Sequence, residues 1–321
     1  MSASPPLVVP PVALGTMTFG DLTEPAEAAR IVDVALTAGV TWFDTANVYA
    51  GGRSEEILRD LLRGRDDVVV ATKCGMPAAD VEGEQALLSP SAVRTAVEGS
   101  LRRLGRDHVE LLYLHRPDRA TPIEETLSAV AELVREGKVG ALGVSNYAAW
   151  QIGELVRAAE EVGAPRPLVS QQMYNMVARR LDEEYAEYAA TTGLATIVYN
   201  PLAGGLLTGR YDVDTLPGSG RFATAANAAT YRERYWDPRL FDAVRRLSAV
   251  AADAGMPLLE MALRWALGRP VCTSVLVGAS RADQLEANLR AISRGPLGPD
   301  LMRAIDEVGQ DLRGPMPAYN R

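Results

Sequence analysis

The chain has 321 residues, of which 47% are hydrophobic, 23% charged and 6% aromatic, an ordinary composition for a globular protein with a large core. Its formal net charge is −8, from 33 basic and 41 acidic side chains with no block of one sign, which excludes a nucleic-acid footprint or polybasic membrane patch and favours a small-molecule partner. No run approaches the ~18 apolar residues that a membrane helix needs, and Met1 to Gly15, with four prolines and no basic residue, does not read as a signal peptide, so a cytoplasmic protein is expected.

Along the chain, short apolar or β-branched runs alternate with amphipathic stretches, the pattern of repeated βα units. Strand Val12 to Gly15 precedes a helix over Pro25 to Ala38. Strand Thr41 to Asp44 precedes Ser54 to Leu62, where Ser54-Glu55-Glu56 supplies a hydroxyl and acids at a helix start. Strand Val68 to Lys73 leads to Pro90 to Leu104, with Ser89 as the expected cap and Pro90 at the first helical position. His108 to His115 is followed by Ile123 to Glu136, Val139 to Ser145 by Ala148 to Val162, and Leu168 to Gln172 by Leu181 to Thr192. Ala195 to Tyr199 opens onto a long Gly- and Ala-rich segment, Ala203 to Pro238, read as a loop of the length usual for functional lids. Helix Arg239 to Ala254, strand Thr273 to Val277 and helix Ala282 to Ile292 complete the series, and further helices are expected at Pro257 to Leu267 and Pro299 to Leu312.

Eight strands and eight intervening helices with no linker predict an α/β protein, a single (β/α)₈ TIM barrel over residues 1–321, with additional helices and a long loop after strand 7. The runner-up, a doubly wound open sheet, would place G-x-G-x-x-G directly after its first strand. The nearest match, Gly218-Ser219-Gly220-Arg221-Phe222-Ala223, follows no strand pattern and reads as a loop. Cys74 and Cys272 lack metal-ligand spacing and are expected as reduced, buried thiols; no metal is expected.

The basic residues are lopsided, with 31 Arg and two Lys, Lys73 and Lys138. A compact, titratable ammonium kept at an apolar strand end suggests chemistry there. Asp44, Lys73 and His115 close the second, third and fourth strand runs, so a parallel barrel brings them together at the mouth where active sites sit. Tyr49, five residues past Asp44, is within reach of the same spot. Acid, cation, imidazole and phenol together suggest proton transfer to a carbonyl oxygen. The phenol, near pH 10 in water, is expected to have its anion stabilised by Lys73, with Asp44 holding the lysine and His115 hydrogen-bonding the developing oxyanion. Hydride from a nicotinamide completes the reaction.

These residues lie in motifs that resemble the aldo-keto reductases along nearly the whole chain. The resemblance runs through Leu14-Gly15-Thr16-Met17-Thr18-Phe19-Gly20, then Phe43-Asp44-Thr45-Ala46 to Tyr49 with Gly52, Ser54 and Glu55, then Thr72-Lys73 and His115-Arg116-Pro117-Asp118. It continues in Gly143-Val144-Ser145-Asn146, in Gln171 with Tyr174-Asn175, in Tyr199-Asn200-Pro201-Leu202-Ala203-Gly204-Gly205-Leu206-Leu207-Thr208-Gly209, and in Val277-Gly278-Ala279-Ser280-Arg281 with Gln284 and Asn288. It implies a metal-free, NADPH-dependent (NADP) oxidoreductase acting on an aldehyde, ketone or sugar ketone, with Asp44, Tyr49, Lys73 and His115 as the catalytic tetrad.

By the same resemblance Gly15, Thr16, Met17, Asp44 and Gly278 border the cofactor. Ser145, Asn146 and Gln171 would hold the nicotinamide carboxamide, and Tyr199 would stack on its ring. Asn200, Pro201, Leu202, Ala203, Gly204 and Gly205 with Arg210 would wrap the pyrophosphate, Arg221 in the long loop would close over the cofactor, and Ser280, Arg281, Gln284 and Asn288 would hold the adenosine 2′-phosphate end. A helix N-terminus beside Ser280 and Arg281 is a ready anion site. Met17 stands where many members have Trp, Asn200 where Ser is common and Arg210 where Lys is common. The rival reading is an NADPH-holding regulatory module resembling the potassium-channel β subunits, which have Asn where His115 stands. Substrate choice would lie in the barrel-top loops and in the tail Gly314 to Arg321, with Pro315, Pro317, Tyr319 and Asn320.

Overall fold

The computed structural model describes residues 7–83 and 86–312; the tail from Gly314 and the first six residues, both read above, lie outside them. Among the described residues eight parallel strands pair in chain order and close on themselves: β1 (Val12–Gly15), β2 (Trp42–Asp44), β3 (Val69–Cys74), β4 (Val109–Leu114), β5 (Val139–Ser145), β6 (Val169–Met173), β7 (Ala195–Tyr199) and β8 (Ser274–Gly278). The first six are followed by α1 (Pro25–Thr37), α2 (Arg53–Leu61), α3 (Pro90–Leu104), α4 (Ile123–Arg135), α5 (Ala149–Val162) and α6 (Tyr185–Thr192). After β7 come α7 (Ala228–Tyr235), α8 (Pro238–Asp253) and α9 (Leu258–Leu267), and after β8 come α10 (Ala282–Ser293) and α11 (Pro299–Asp311). The expected (β/α)₈ barrel is the fold, and each expected strand is present within a residue or two at its ends.

Strand alternation sorts the side chains into two cores. Ala13, Trp42, Ala71, Leu111, Tyr113, Val169 and Ile197 fill the barrel interior. Their neighbours Leu14, Phe43, Val70, Leu112, Val144 and Val198 face outward into the larger core under the helices. Gly143 leaves room for this filling, since a Cβ there would lie 2.7 Å from the Tyr113 ring. The strand ends that carry polar residues therefore stand above a packed plug, which makes the mouth the floor of a site.

Four expectations need correction. The 203–238 segment is partly helical, with 3₁₀ turns at Ala203–Thr208 and helix α7; the buried face of α7 is only Ala228, Tyr231 and Tyr235, too sparse for a periodic signal. The helix expected from Leu181 is a 3₁₀ turn at Arg180–Asp182 and then α6, because Asp182 is drawn aside by Arg179 Nε at 2.9 Å and by the Tyr174 hydroxyl. Ser54 does not cap α2; its hydroxyl turns inward, donating to the Thr16 carbonyl at 2.9 Å and meeting the Thr45 hydroxyl at 3.0 Å. Cys74 is buried but Cys272 only partly so; both are free thiols, pushed up to about 12 by burial, which leaves them unreactive.

Two expectations of local structure hold. Ser89 accepts from the Ala92 amide at the start of α3, with Pro90 inside the first turn. Gly218–Ala223 consists of bends and turns. Among the described residues no helix is long and apolar enough to cross a membrane, and no group of His, Cys, Asp and Glu is placed to hold a metal.

Candidate active site

The inward rows end in the polar residues. On β2 and β3, Trp42 is followed inward by Asp44 and Ala71 by Lys73, while on β4 Tyr113 is followed by His115, whose amide continues the ladder to the Cys74 carbonyl at 2.8 Å. Tyr49 is followed by three successive left-handed residues, Ala50 (φ 49°), Gly51 (φ 66°) and Gly52 (φ 96°). A left-handed alanine is a strained choice, and such strain is concentrated at functional sites.

The fully buried Lys73 ammonium donates to the Asp44 carboxylate, to the Thr45 carbonyl at 2.7 Å and to the Tyr49 hydroxyl at 3.4 Å. The second Asp44 oxygen accepts from Gln171 Nε2 at 2.7 Å. His115 meets Tyr49 edge to face, ring centroids 5.9 Å apart. The four expected catalytic residues are therefore gathered at one point.

Burial pushes the Asp44 carboxyl up and the Lys73 ammonium down, and each is opposed by the other's charge. Burial pushes the Tyr49 phenol well above 10.0, with Asp44 and Tyr231 adding to the rise and Arg221 opposing it. The expected lowering of the phenol by Lys73 is not met, because burial dominates and the Asp44 charge adds to the rise. At neutral pH Tyr49 is a protonated hydroxyl. Burial first, then Lys73 and Arg116, holds His115 well below 6.5, so it is a neutral imidazole.

The residues expected around a nicotinamide adjoin this centre and bond to one another. Ser145 Oγ donates to the Gln171 carbonyl at 3.0 Å, and Asn146 Nδ2 donates to the His115 carbonyl at 2.9 Å. Tyr199 donates its hydroxyl proton to Asn146 Oδ1 at 2.7 Å, so ring and amide are joined. Gly15 pairs in register with Asp44 and Gly278. The Thr16 hydroxyl is spent on the Asp44 carbonyl at 3.0 Å, and Met17 is half-buried at the rim.

Beyond β7 the backbone turns left-handed at Asn200 (φ 56°), Ala203 (φ 50°), Gly204 (φ 69°) and Gly205 (φ 103°), with Pro201 and Leu202 in the intervening turn. Arg210 lies over the Tyr211 ring, 4.7 Å away, with its Nη2 3.8 Å from where a Gly205 Cβ would stand. Arg221 lies 5.0 Å over Tyr231. Past β8, Gln284 Oε1 accepts from both Ser280 N and Oγ at 3.2 Å, and Arg281 is exposed and paired with Asp283. Asn200 Nδ2, His115 Nδ1 and Asn288 Oδ1 are buried without a partner among the described residues.

The family model described as the Aldo/keto reductase family matches residues 11–310. The chain belongs to the aldo/keto reductase family. Similar proteins include Aflatoxin B1 aldehyde reductase member 2 of Homo sapiens, 37% identical over 100% of this chain and 92% of its own, and that of Mus musculus, 36% identical over 97% and 88%. A protein described as a probable voltage-gated potassium channel subunit beta, from Arabidopsis thaliana, is 34% identical over 92% of this chain and 90% of its own.

Sequence reading missed part of this candidate site. Tyr231, on the unanticipated α7, donates to Asn200 Oδ1 at 3.0 Å, and both Tyr231 and Arg221 act electrostatically on Tyr49. The available signal was aromatic density: six aromatic residues fall between Tyr211 and Phe241. The sequence marks Glu55 only as an acid at a helix start and as a motif residue. It is fully buried, accepting from Thr72 Oγ1 at 2.5 Å and Arg103 Nε at 2.7 Å, and its charge helps keep Lys73 protonated.

Proposed function

We propose that the protein is an NADPH-dependent oxidoreductase that reduces the carbonyl group of a small aldehyde or ketone. The observation that carries this reading is the Lys73 N–H to Tyr49 hydroxyl contact at 3.4 Å, beside the buried pair with Asp44. Because Lys73 donates to the phenol oxygen, the phenol's own proton is left to donate outward, toward a substrate oxygen at the mouth. As that proton leaves, the Lys73 N–H faces the charge that develops on Tyr49, and Asp44 and the Thr45 carbonyl keep the ammonium in place. His115, neutral, is suited to donate a hydrogen bond to the substrate oxygen without competing as an acid.

A nicotinamide dinucleotide, when bound, would supply the hydride that the carbonyl carbon takes up. Its fit is supported by two features: the left-handed run from Asn200 to Gly205, which leaves space for close backbone approach, and the Asn200 Nδ2 and Asn288 Oδ1 atoms, buried without a partner among the described residues, at two points along the expected cofactor track. Ser145, Asn146 and Gln171 would hold the carboxamide, Tyr199 the ring face, the Asn200 to Gly205 stretch with Arg210 the pyrophosphate, and Ser280, Arg281, Gln284 and Asn288 the adenosine end, with Arg221 closing over the cofactor. The likeness to aflatoxin B1 aldehyde reductases supports a carbonyl substrate. A cofactor-holding regulatory role, suggested by the potassium-channel relative, is disfavoured by the intact acid, phenol, ammonium and imidazole set.

Replacing Tyr49 by Phe tests the reading. Reduction of a good aldehyde should fall by ~10²–10⁴ while NADPH binding, followed by protein fluorescence, stays within about two-fold. Near-parental turnover would show that another group is the acid.

A further inference from the structure

In the turn from β8 into α10, two donors that an anion would use, the Ala282 amide and the Arg281 guanidinium, are taken by the chain's own acids. The Ala282 amide, at the start of α10, donates to Glu27 Oε1 at 2.7 Å, although Glu27 belongs to α1. Arg281 makes a two-point pair with Asp283, Nε to Oδ1 at 3.0 Å and Nη2 to Oδ2 at 2.9 Å. Glu27 is in turn matched by Arg30. A helix N-terminus favours negative charge, and here two carboxylates already supply it. An independent sign that this turn faces a ligand is Asn288, one turn beyond Gln284, 3% exposed and with Oδ1 lacking a partner among the described residues.

We infer that Glu27 and Asp283 are specificity-determining residues that hold down the preference for a 2′-phosphorylated cofactor and so admit NADH beside NADPH. The inference rests on reading this turn as the adenosine subsite. A 2′-phosphate brings up to two negative charges into the first turn of α10, where it must draw Arg281 from Asp283 and stand near the Glu27 carboxylate. A ribose 2′-hydroxyl meets neither repulsion and can donate to either acid. The turn therefore carries a repulsive element beside its attractive one, the usual way a site narrows a difference in affinity.

The test uses the full chain and two probes, 2′,5′-ADP and 5′-ADP, titrated calorimetrically. Glu27→Gln and Asp283→Asn each keep an acceptor oxygen, so the bonds to Ala282 and Arg281 can persist while the charge is gone. The ratio of the 5′-ADP to the 2′,5′-ADP dissociation constant should rise about 3–10-fold in each variant, more in the double variant, and less at high salt. Binding of 5′-ADP should stay within about two-fold. A ratio unchanged in the double variant, or one that falls because Asp283 aims Arg281 at the phosphate, overturns the inference. Asp283 is exposed, so Asp283→Asn alone decides the matter should Glu27→Gln not fold. Arg281→Ala separates the two levels of argument. It should lower the ratio, and if it changes neither constant the turn is not the adenosine subsite, so the underlying reading fails together with the inference.

Discussion

Replacing Lys73 by Met removes the one buried cation that faces both Asp44 and Tyr49. The ammonium is wholly buried, and Met fills similar volume but leaves the Asp44 carboxylate facing Gln171 Nε2 at 2.7 Å without a counter-charge. Stripping a buried charge of its partner costs about 3–5 kcal/mol. In a chain of this size that corresponds to a fall in Tm of roughly 5–10 °C. Burial pushes Asp44 up and Lys73 down, so the ion pair is held ionised against its surroundings and contributes little net stability. Adding Asp44→Asn to Lys73→Met should therefore restore stability to within about 1–2 kcal/mol of the parent.

The pH dependence has a definite sign. A carboxyl raised above its ordinary 3.8 favours folding in its protonated form, a contribution present at low pH and lost as pH rises through the folded value. The Lys73→Met deficit should thus narrow as pH falls toward the ordinary carboxyl value of 3.8. Melting curves and kcat/KM on the same samples check all of this. Lys73→Met and the double variant should both be nearly inactive, with the double variant the more stable. Lys73→Arg should lose much of its activity, because a planar fork cannot occupy the compact point between carboxylate and phenol. A double variant as unstable as Lys73→Met, or a Lys73→Met enzyme with parental activity, would refute the reasoning.

The barrel was legible because burial on both faces of a parallel sheet writes short apolar runs into the sequence, and the intervening helices carry apolar stripes. Legibility failed where tertiary contacts replace periodicity. Tyr231 and Tyr235 form a helix because they pack under the segment after β7, beside Phe222 and Asn200, and no local repeat announces this. Ser54 looked like a cap because hydroxyls before acids usually are. The left-handed Gly52 occupies the cap position instead, and Ser54 is turned into the Thr16 and Thr45 hydroxyls.

At the site, the residues on strand ends were legible because parallel closure makes consecutive ends neighbours, whatever the loops do. Their protonation was not. The field at Tyr49 depends on Asp44 standing beside Lys73 at bonding distance and on Arg221 and Tyr231 arriving from a segment well over a hundred residues away. The occupation of the α10 N-terminus was equally hidden, since Glu27 lies in α1, where it reads as an ordinary first-turn acid. Pattern locates a donor but does not say which acceptor already holds it.

Two further outcomes follow from the same geometry. Burial holds His115 well below 6.5, so below that pH the unfolded chain binds a proton that the native state refuses, and stability should fall with a slope of up to ~1.4 kcal/mol per pH unit. His115→Gln should flatten that slope in urea titrations between about pH 6.5 and about pH 5, and equal slopes would show that the imidazole is not the group involved. The last concerns Tyr199, whose hydroxyl donates to Asn146 Oδ1 at 2.7 Å. If that oxygen is to accept from a carboxamide, the phenol must first release it, and a hydrogen bond of this kind has a net worth of ~0.5–1.5 kcal/mol. Tyr199→Phe keeps the ring for stacking and removes the competitor, so NADPH should bind about 2–10-fold more tightly with kcat little changed. Weaker binding would mean that the hydroxyl aligns Asn146 for the cofactor instead of competing for it.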